Sequence, residues 1–265
     1  MINLILGGQK VGIDAGELVS YMVDGHEYIH QKGSPGWRNS DTEMFPIIGP
    51  TQNVDFRVET PRGTAIQDQH GLLREMEYQL LERMDHNVTF HKKYTAGTPL
   101  KNSKFPQKST EGHVSWPYDF EFRKSYSLYE NGLKIVFEVR GEEGMPYMLG
   151  YHPAFRLEMP DPTIKVGERS ISLQQVMEVG SRALSVPHCD SLELSDTRDL
   201  TIGTKGFGNF MLWTEVPNMV CIEPITFYPY DVGQGQLHQG FKVLGKKAAV
   251  FEVTLYPNGQ NGRAL

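Results

Sequence analysis

A chain of 265 residues that is 39% hydrophobic can bury roughly three quarters of its extended-chain surface, so it needs no staple to fold. A charged fraction of 22% is ordinary for a globular protein and excludes a disordered polymer. The formal charge of −6 argues against nucleic-acid and anionic-membrane partners, because phosphate surfaces recruit basic proteins.

From the amino end, Met1–Gly8 lacks a basic start and its apolar run is too short for a signal peptide, so the chain reads as cytoplasmic. No stretch approaches the roughly 20 apolar residues that span a bilayer. Gly7-Gly8, and later Gly203, Gly206 and Gly208, lack the spacing of a phosphate loop and read as turn glycines. Leu72–Met84 places apolar residues at i, i+4 and i+8, the pattern of an amphipathic helix, and equally suits a strand entering another strand. Thr89–Tyr94 alternates with period two. The clearest segment is Tyr118–Val139: Phe120, Phe122, Tyr126 and Leu128 alternate with polar residues, Asn131-Gly132 intervenes, and Leu133–Val139 follows. Asn-Gly between such runs predicts a hairpin with a type I′ turn, whose positive φ both residues accept. Met219–Ile222 is a short apolar run leading into Glu223-Pro224, and Ala248–Tyr256 alternates again. The 16 prolines and 27 glycines are spread along the chain without a linker, charge block or repeat, which predicts one domain over 1–265.

The titratable residues narrow to three segments. His26, His30, His86, His91, His113, His188 and His238 sit among polar or turn residues, where exposure is the default. No histidine pair has the His-Glu-x-x-His spacing, His86 and His91 fall on opposite strand faces, and Cys189 and Cys221 form no C-x-x-C motif. Neither a metal centre nor a disulfide framework is therefore expected. What remains is Gln69–Arg74, Leu149–Leu157 and Val220–Ile225. His152 precedes a proline, which forces extended backbone, and Tyr151 and Phe155 are candidates for a stacking wall beside it. Period two puts Cys221, Glu223 and Ile225 on one face; a carboxylate there lines a polar cavity or is desolvated, which raises its pKa toward that of an effective base. Taken singly, each is better explained by a structural role, the histidine as a hydrogen-bonded residue among aromatics and Glu223-Pro224 as a strand terminus.

Taken together and in order, these segments resemble the aldose 1-epimerase (galactose mutarotase-like) family, its shorter bacterial branch in particular. The resemblance runs from about Ile13 to Pro224. It rests on Gly16-Glu17-Leu18 with Ser20, Glu27-Tyr28-Ile29, Trp37, Met44-Phe45-Pro46-Ile47-Ile48-Gly49, His70-Gly71-x-x-Arg74, Tyr151-His152-Pro153-x-Phe155, Trp213 and Cys221-Ile222-Glu223-Pro224. It implies an all-β antiparallel supersandwich with few short helices, and an enzyme that interconverts α and β anomers of a free aldose without cofactor or metal. Carried over by position, it implies Glu223 as general base and His152 as general acid. His70 and Arg74 bind sugar oxygens, and Trp37, Tyr151 and Phe155 are apolar platforms. The implied partner is a small sugar, and the implied state a monomer or homodimer. A pH–rate profile is expected to rise with Glu223 and fall with His152.

The chain departs from the family pattern in places. Pro50 stands where an arginine often follows the Phe-Pro-Ile-x-Gly segment, with Arg57 or Arg62 as candidate substitutes. Ala154 replaces the usual aromatic after His-Pro, and Ile225-Thr226-Phe227 follows Glu223-Pro224. Asp161, Asp190, Asp196 and Asp231 are candidates for the substrate-contacting aspartate of some members. Three rival readings stand beside the epimerase. One is a non-catalytic sugar-binding protein on the same fold, one a hexose 6-phosphate mutarotase needing clustered arginines, and the remotest a polysaccharide lyase or hydrolase, the hydrolase needing a second carboxylate.

Overall fold

The computed structural model describes residues 1–258, and their architecture is an antiparallel β-sandwich with few short helices. One layer is a nine-stranded sheet whose order, by residues, is Arg169–Ser172, Thr163–Val166, Ser191–Ser195, Leu200–Lys205, Ala249–Pro257, Gly132–Gly141, Phe120–Tyr129, Asn87–Tyr94 and Gln79–Arg83. Facing it is a six-stranded sheet built on Met219–Ile225, which pairs with Asn209–Trp213 on one side and with Gly150–Tyr151 and Ala154–Arg156 on the other. The amino-terminal strands from Ile2 to Glu27 form a separate four-stranded sheet.

Alternation accounts for the large sheet. Along Phe120–Tyr129, burial alternates strictly, and Phe122 and Tyr126 are fully enclosed. Rings of this sheet meet the opposite layer directly: Phe122 lies 5.6 Å from Phe45, and Phe137, on the paired strand Gly132–Gly141, lies 5.0 Å from Tyr151. Each buried aromatic removes roughly 150–250 Å² from water, so this interlayer seam supplies much of the driving force. Among the described residues, no helix is long and apolar enough to cross a membrane.

Three expectations are refined. The hairpin forms, but its two-residue loop is Glu130-Asn131, because Tyr129 pairs with Gly132. Neither loop residue has positive φ, so the turn is not type I′. Gly132 is needed for another reason: a Cβ there would meet the Leu255 carbonyl oxygen at 2.2 Å. Leu72–Met84 is no helix. Leu73–Glu75 makes one 3₁₀ turn, and Gln79–Arg83 is an edge strand with every residue exposed. Leu72 and Leu73 are buried in the core while Leu80 and Leu81 face outward, so the i, i+4 spacing did not mark one face. Gly203 lies inside Leu200–Lys205 rather than in a turn, whereas Gly7, Gly206 and Gly208 do adopt positive φ.

Candidate active site

Glu223 comes from the centre of the six-stranded sheet. Its strand, Met219–Ile225, is buried along its whole length. Glu223 pairs with Met211, and Cys221, two residues earlier on the same face, pairs with Trp213 and with Ala154. The carboxylate is 1% exposed and neither oxygen has a hydrogen-bond partner. Burial therefore pushes its pKa well above the ordinary carboxylate range, against a smaller opposing pull from Arg74.

His152 reaches Glu223 from the adjacent segment. As the following proline requires, its backbone is extended: its N–H donates to the Thr42 carbonyl at 2.8 Å, and its own carbonyl accepts from Thr42 at 3.2 Å. The ring projects on the side opposite Tyr151, with Nε2 at 3.4 Å from Glu223 Oε1. Trp37 stacks on it at 4.2 Å and 23°, and Trp213 presents an edge at 6.3 Å. Burial, then the Arg74 charge, push the imidazole down to about 3. The two groups are thus shifted in opposite directions, both favouring the neutral form.

The Gln69–Arg74 segment completes the wall. His70 and Gly71 both have positive φ, and a Cβ on Gly71 would lie 2.2 Å from the Phe45 carbonyl oxygen. This tight turn docks the segment on the Phe45–Gly49 strip, where the Gly49 N–H donates to His70 Nδ1 at 3.3 Å. On the other edge of the ring, His70 Nε2 lies 3.2 Å from the Gln69 side-chain amide nitrogen. Burial, followed by Arg74, His152 and Lys104, holds His70 well below its usual pKa. Arg74 follows in the 3₁₀ turn, its Nε buried without a partner.

A buried charge cluster fixes the segment that carries His152. Lys124 donates to Asp41 at 2.7 Å and contacts Glu43 at 2.6 Å, and the Tyr151 hydroxyl donates to Asp41 at 2.8 Å. Thr42, between those two acids, makes the backbone bonds to His152. His30 performs the same service for Trp37, bonding the Trp37 carbonyl with Nε2 at 2.9 Å while its backbone N–H donates to Ala154.

These side chains line a groove of about 820 Å³ that holds Trp37, His70, Arg74, His152, Trp213 and Glu223 together. Five of the seven residues singled out by sequence are therefore assembled in one place. Tyr151 and Phe155 are not: both are fully buried on the core side of the sheet, and Tyr151 packs on Phe137. Period two places them opposite His152 and Ala154, so they support the site rather than form its wall. Ala154 packs with Met219 and Cys221 beneath Trp37 and Trp213, so those indoles occupy the space beside the small residue.

Other expectations are corrected. His30 and His91 are buried, His91 bonded to Glu121 at 3.0 Å. Arg62 is engaged with Glu142 outside the groove, and Arg57 does not line it. The cations that do are Arg38, Arg74, Lys104, Lys108 and Arg182. None of the four aspartate candidates lines the groove; Asp196 accepts from the Glu158 and Met159 amides, and the second acid present is Glu215. Trp213 entered the resemblance without a site role, and Arg182 and Tyr230 had no local signal at all; strand pairing and loop return bring all three into the groove.

Similarity to known proteins agrees with this fold. The family profile described as aldose 1-epimerase matches residues 18–207. Protein LacX (plasmid) of Lactococcus lactis is 30% identical over 198 residues, covering 72% of this chain and 58% of the relative. The chromosomal LacX is 29% identical with the same coverage, so the chain spans less than two thirds of the length of these relatives. Among solved structures, a galactose mutarotase-like protein from Lactobacillus casei superposes with a TM-score of 0.78 at 18% identity, covering 97% of this chain and all of its own. A galactose mutarotase related enzyme from Lactobacillus acidophilus gives 0.77 at 19%, covering 100% of this chain and 99% of its own. These two likenesses bear on the fold.

Proposed function

Because the chain belongs to the aldose 1-epimerase family, we propose that it interconverts the α and β anomers of an aldose by acid–base ring opening, with Glu223 and His152 as the proton-transfer pair. The observation that carries this reading is the contact between two oppositely perturbed, buried groups, 3.4 Å apart in a groove of sugar-accommodating size.

In the chemistry, Glu223 takes the proton of the anomeric hydroxyl and the O1–H electrons form the C1=O1 carbonyl. The C1–O5 bond breaks, and O5 takes a proton from His152. Rotation about C1–C2 and reversal of the same transfers close the other anomer. Each positioned group is worth about 10²–10⁴-fold. The cycle needs one proton on the pair, held by the histidine before opening and by the glutamate after it. With Glu223 pushed up and His152 pushed down, the resting proton sits on Glu223, the state that receives the open-chain sugar. Transfer to His152 across the 3.4 Å contact prepares the pair for the cyclic form. The rate therefore falls at low pH as the pair gains a second proton, and at high pH as it loses its only one. These limbs belong to the pair rather than to either residue, which replaces the simpler expectation of a Glu223 limb and a His152 limb. In this reading His70 and Arg74 hold hydroxyl oxygens, and Trp37 and Trp213 pack on the C–H face of the ring. The reaction needs no cofactor.

The test is polarimetry or NMR on freshly dissolved α-glucose and α-galactose with wild type, Glu223→Gln and His152→Gln. Acceleration by wild type and its loss in both variants supports the assignment; no acceleration of any aldose favours a sugar-binding protein instead. One observation favours a second reading, an aldose carrying a phosphate. Among the described residues, Arg38, Arg74, Lys108 and Arg182 line the groove with no ion pair, whereas Lys104 is engaged by Asp68. Clustered unpaired cations suit a dianion. A kcat/KM for hexose 6-phosphate at least tenfold above that for the free hexose would select this reading.

A further inference from the structure

We infer that Cys221, His152 and Glu223 form a binding site for a thiophilic divalent cation of the zinc class, and that occupancy switches off the acid–base pair. The switching half rests on the proposed epimerase reading; the binding half does not. Three donor atoms, the Cys221 sulfur, a His152 ring nitrogen and a Glu223 oxygen, lie within 4.8 Å of one another, and all three residues are buried. Cys221 lies 69 residues after His152 in the sequence (221 − 152); strand pairing with Ala154 brings them together.

Two features distinguish this cluster from ordinary packing. Its donors are free: neither oxygen of Glu223 has a partner, and among the described residues the Cys221 sulfur makes no hydrogen bond. Buried polar atoms left unpaired in a native site call for a ligand or a function. Charge balance is the second. Burial holds Cys221 as a thiol and Glu223 as a carboxylic acid, so binding releases one proton from each to solvent; the resulting thiolate, carboxylate and neutral imidazole sum to −2, and a divalent ion makes the buried cluster neutral. Mixed sulfur, nitrogen and oxygen donors suit zinc, whereas calcium and magnesium demand oxygen shells. Donors around a tetrahedral zinc sit roughly 3.3–3.8 Å apart, given metal–ligand bonds of about 2.0–2.3 Å. Closing the cluster thus asks for a shift of about 1 Å. His152 and Glu223 line the groove, which provides the entry path and an open fourth position. Once bound, the cation occupies the lone pairs that proton transfer requires.

The experiment treats the full chain with a chelator, removes it, and titrates zinc chloride in the absence of sugar. Calorimetry and tryptophan fluorescence are followed, since Trp37 and Trp213 flank the site. The expected result is one zinc per chain with a fluorescence change, weakened at least about tenfold in Cys221→Ser and in His152→Gln. Cys221→Ala gives a second thiol-free variant, and a thermal melt of each protein confirms that it is folded. Mutarotation by wild type is expected to stop at saturating zinc and to return with EDTA. Zinc binding unchanged in all three folded variants, or no binding to wild type, overturns the inference. An enzyme that turns over aldoses but ignores zinc overturns this inference alone. A protein that binds zinc at these residues but accelerates no aldose overturns the epimerase reading and leaves the site standing.

Discussion

Replacing Glu223 by glutamine should remove catalysis while making the protein more stable, and the stability gain should depend on pH. The carboxyl is 1% exposed, with neither oxygen hydrogen-bonded, and its folded pKa lies well above 4.5. The sign follows from proton counting. Between 4.5 and the folded pKa the folded state holds a proton that the unfolded state has released, so this group's contribution to stability is complete below 4.5 and is lost as pH rises. Each pKa unit of upward shift costs about 1.4 kcal/mol once the pH exceeds the folded value. Glutamine keeps the shape and never ionises, and its amide can donate to His152 Nε2, 3.4 Å from the present carboxylate. A shift well above the ordinary value therefore makes the expected gain for Glu223→Gln at pH 8 more than about 1.4 kcal/mol. At pH 4 the gain should nearly vanish. In a chain of this length 1 kcal/mol moves the melting temperature by roughly 2–4 °C, so the difference is readable. Urea denaturation of both proteins at pH 4, 6 and 8 measures it, with mutarotation followed in parallel. Equal stability of the two proteins at every pH would refute the account of Glu223 as a desolvated, unpaired carboxylate. Near-wild-type mutarotation would refute its role as base.

Three other substitutions probe the surroundings. Arg74→Met removes the charge that lowers both Glu223 and His152, so both limbs of the pH–rate profile should move to higher pH; a stationary profile would show that Arg74 does not act on the pair. Lys124→Met strands Asp41 and Glu43 in the core and should cost about 3–5 kcal/mol by urea denaturation at pH 8. The loss should shrink on acidification, because Asp41, pushed up to about 6 by burial, then takes a proton; a pH-independent loss would contradict this. Gly71→Ala places a Cβ against the Phe45 carbonyl oxygen at positive φ. It should destabilise the fold by more than about 1 kcal/mol and lower kcat by displacing His70, and an unchanged melt and rate would show that the turn adapts.

Much of this was legible from local pattern. Period-two alternation identified the strands of Tyr118–Val139 because one side of each faces the interlayer core, and a proline after His152 placed it on extended backbone. Where local pattern misled, a tertiary contact decided. Gly132 belongs to a strand because the Leu255 carbonyl approaches it, and the glycine serves that approach instead of the turn. Leu80 and Leu81 sit on an exposed edge strand, so their spacing from Leu72 carries no helical meaning. Tyr151 and Phe155 looked like site aromatics, yet alternation on the same segment turns them into the core whenever His152 faces the groove.

What the amino-acid sequence determined by itself was the chemistry at hand: a β-rich chain, an ordered set of His70, Arg74, His152 and Glu223, and the face shared by Cys221 and Glu223. Those follow from residue type and from a period-two backbone, which are local properties. Tertiary structure alone decided what the groups do to one another. The 3.4 Å contact between Glu223 and His152, the opposite pKa shifts, the Trp37 stack and the closeness of Cys221 to His152 all arise from pairings across the six-stranded sheet and from burial between layers. Desolvation and Coulomb terms depend on three-dimensional distance and exclusion of water, and neither is written in the spacing of residues along the chain.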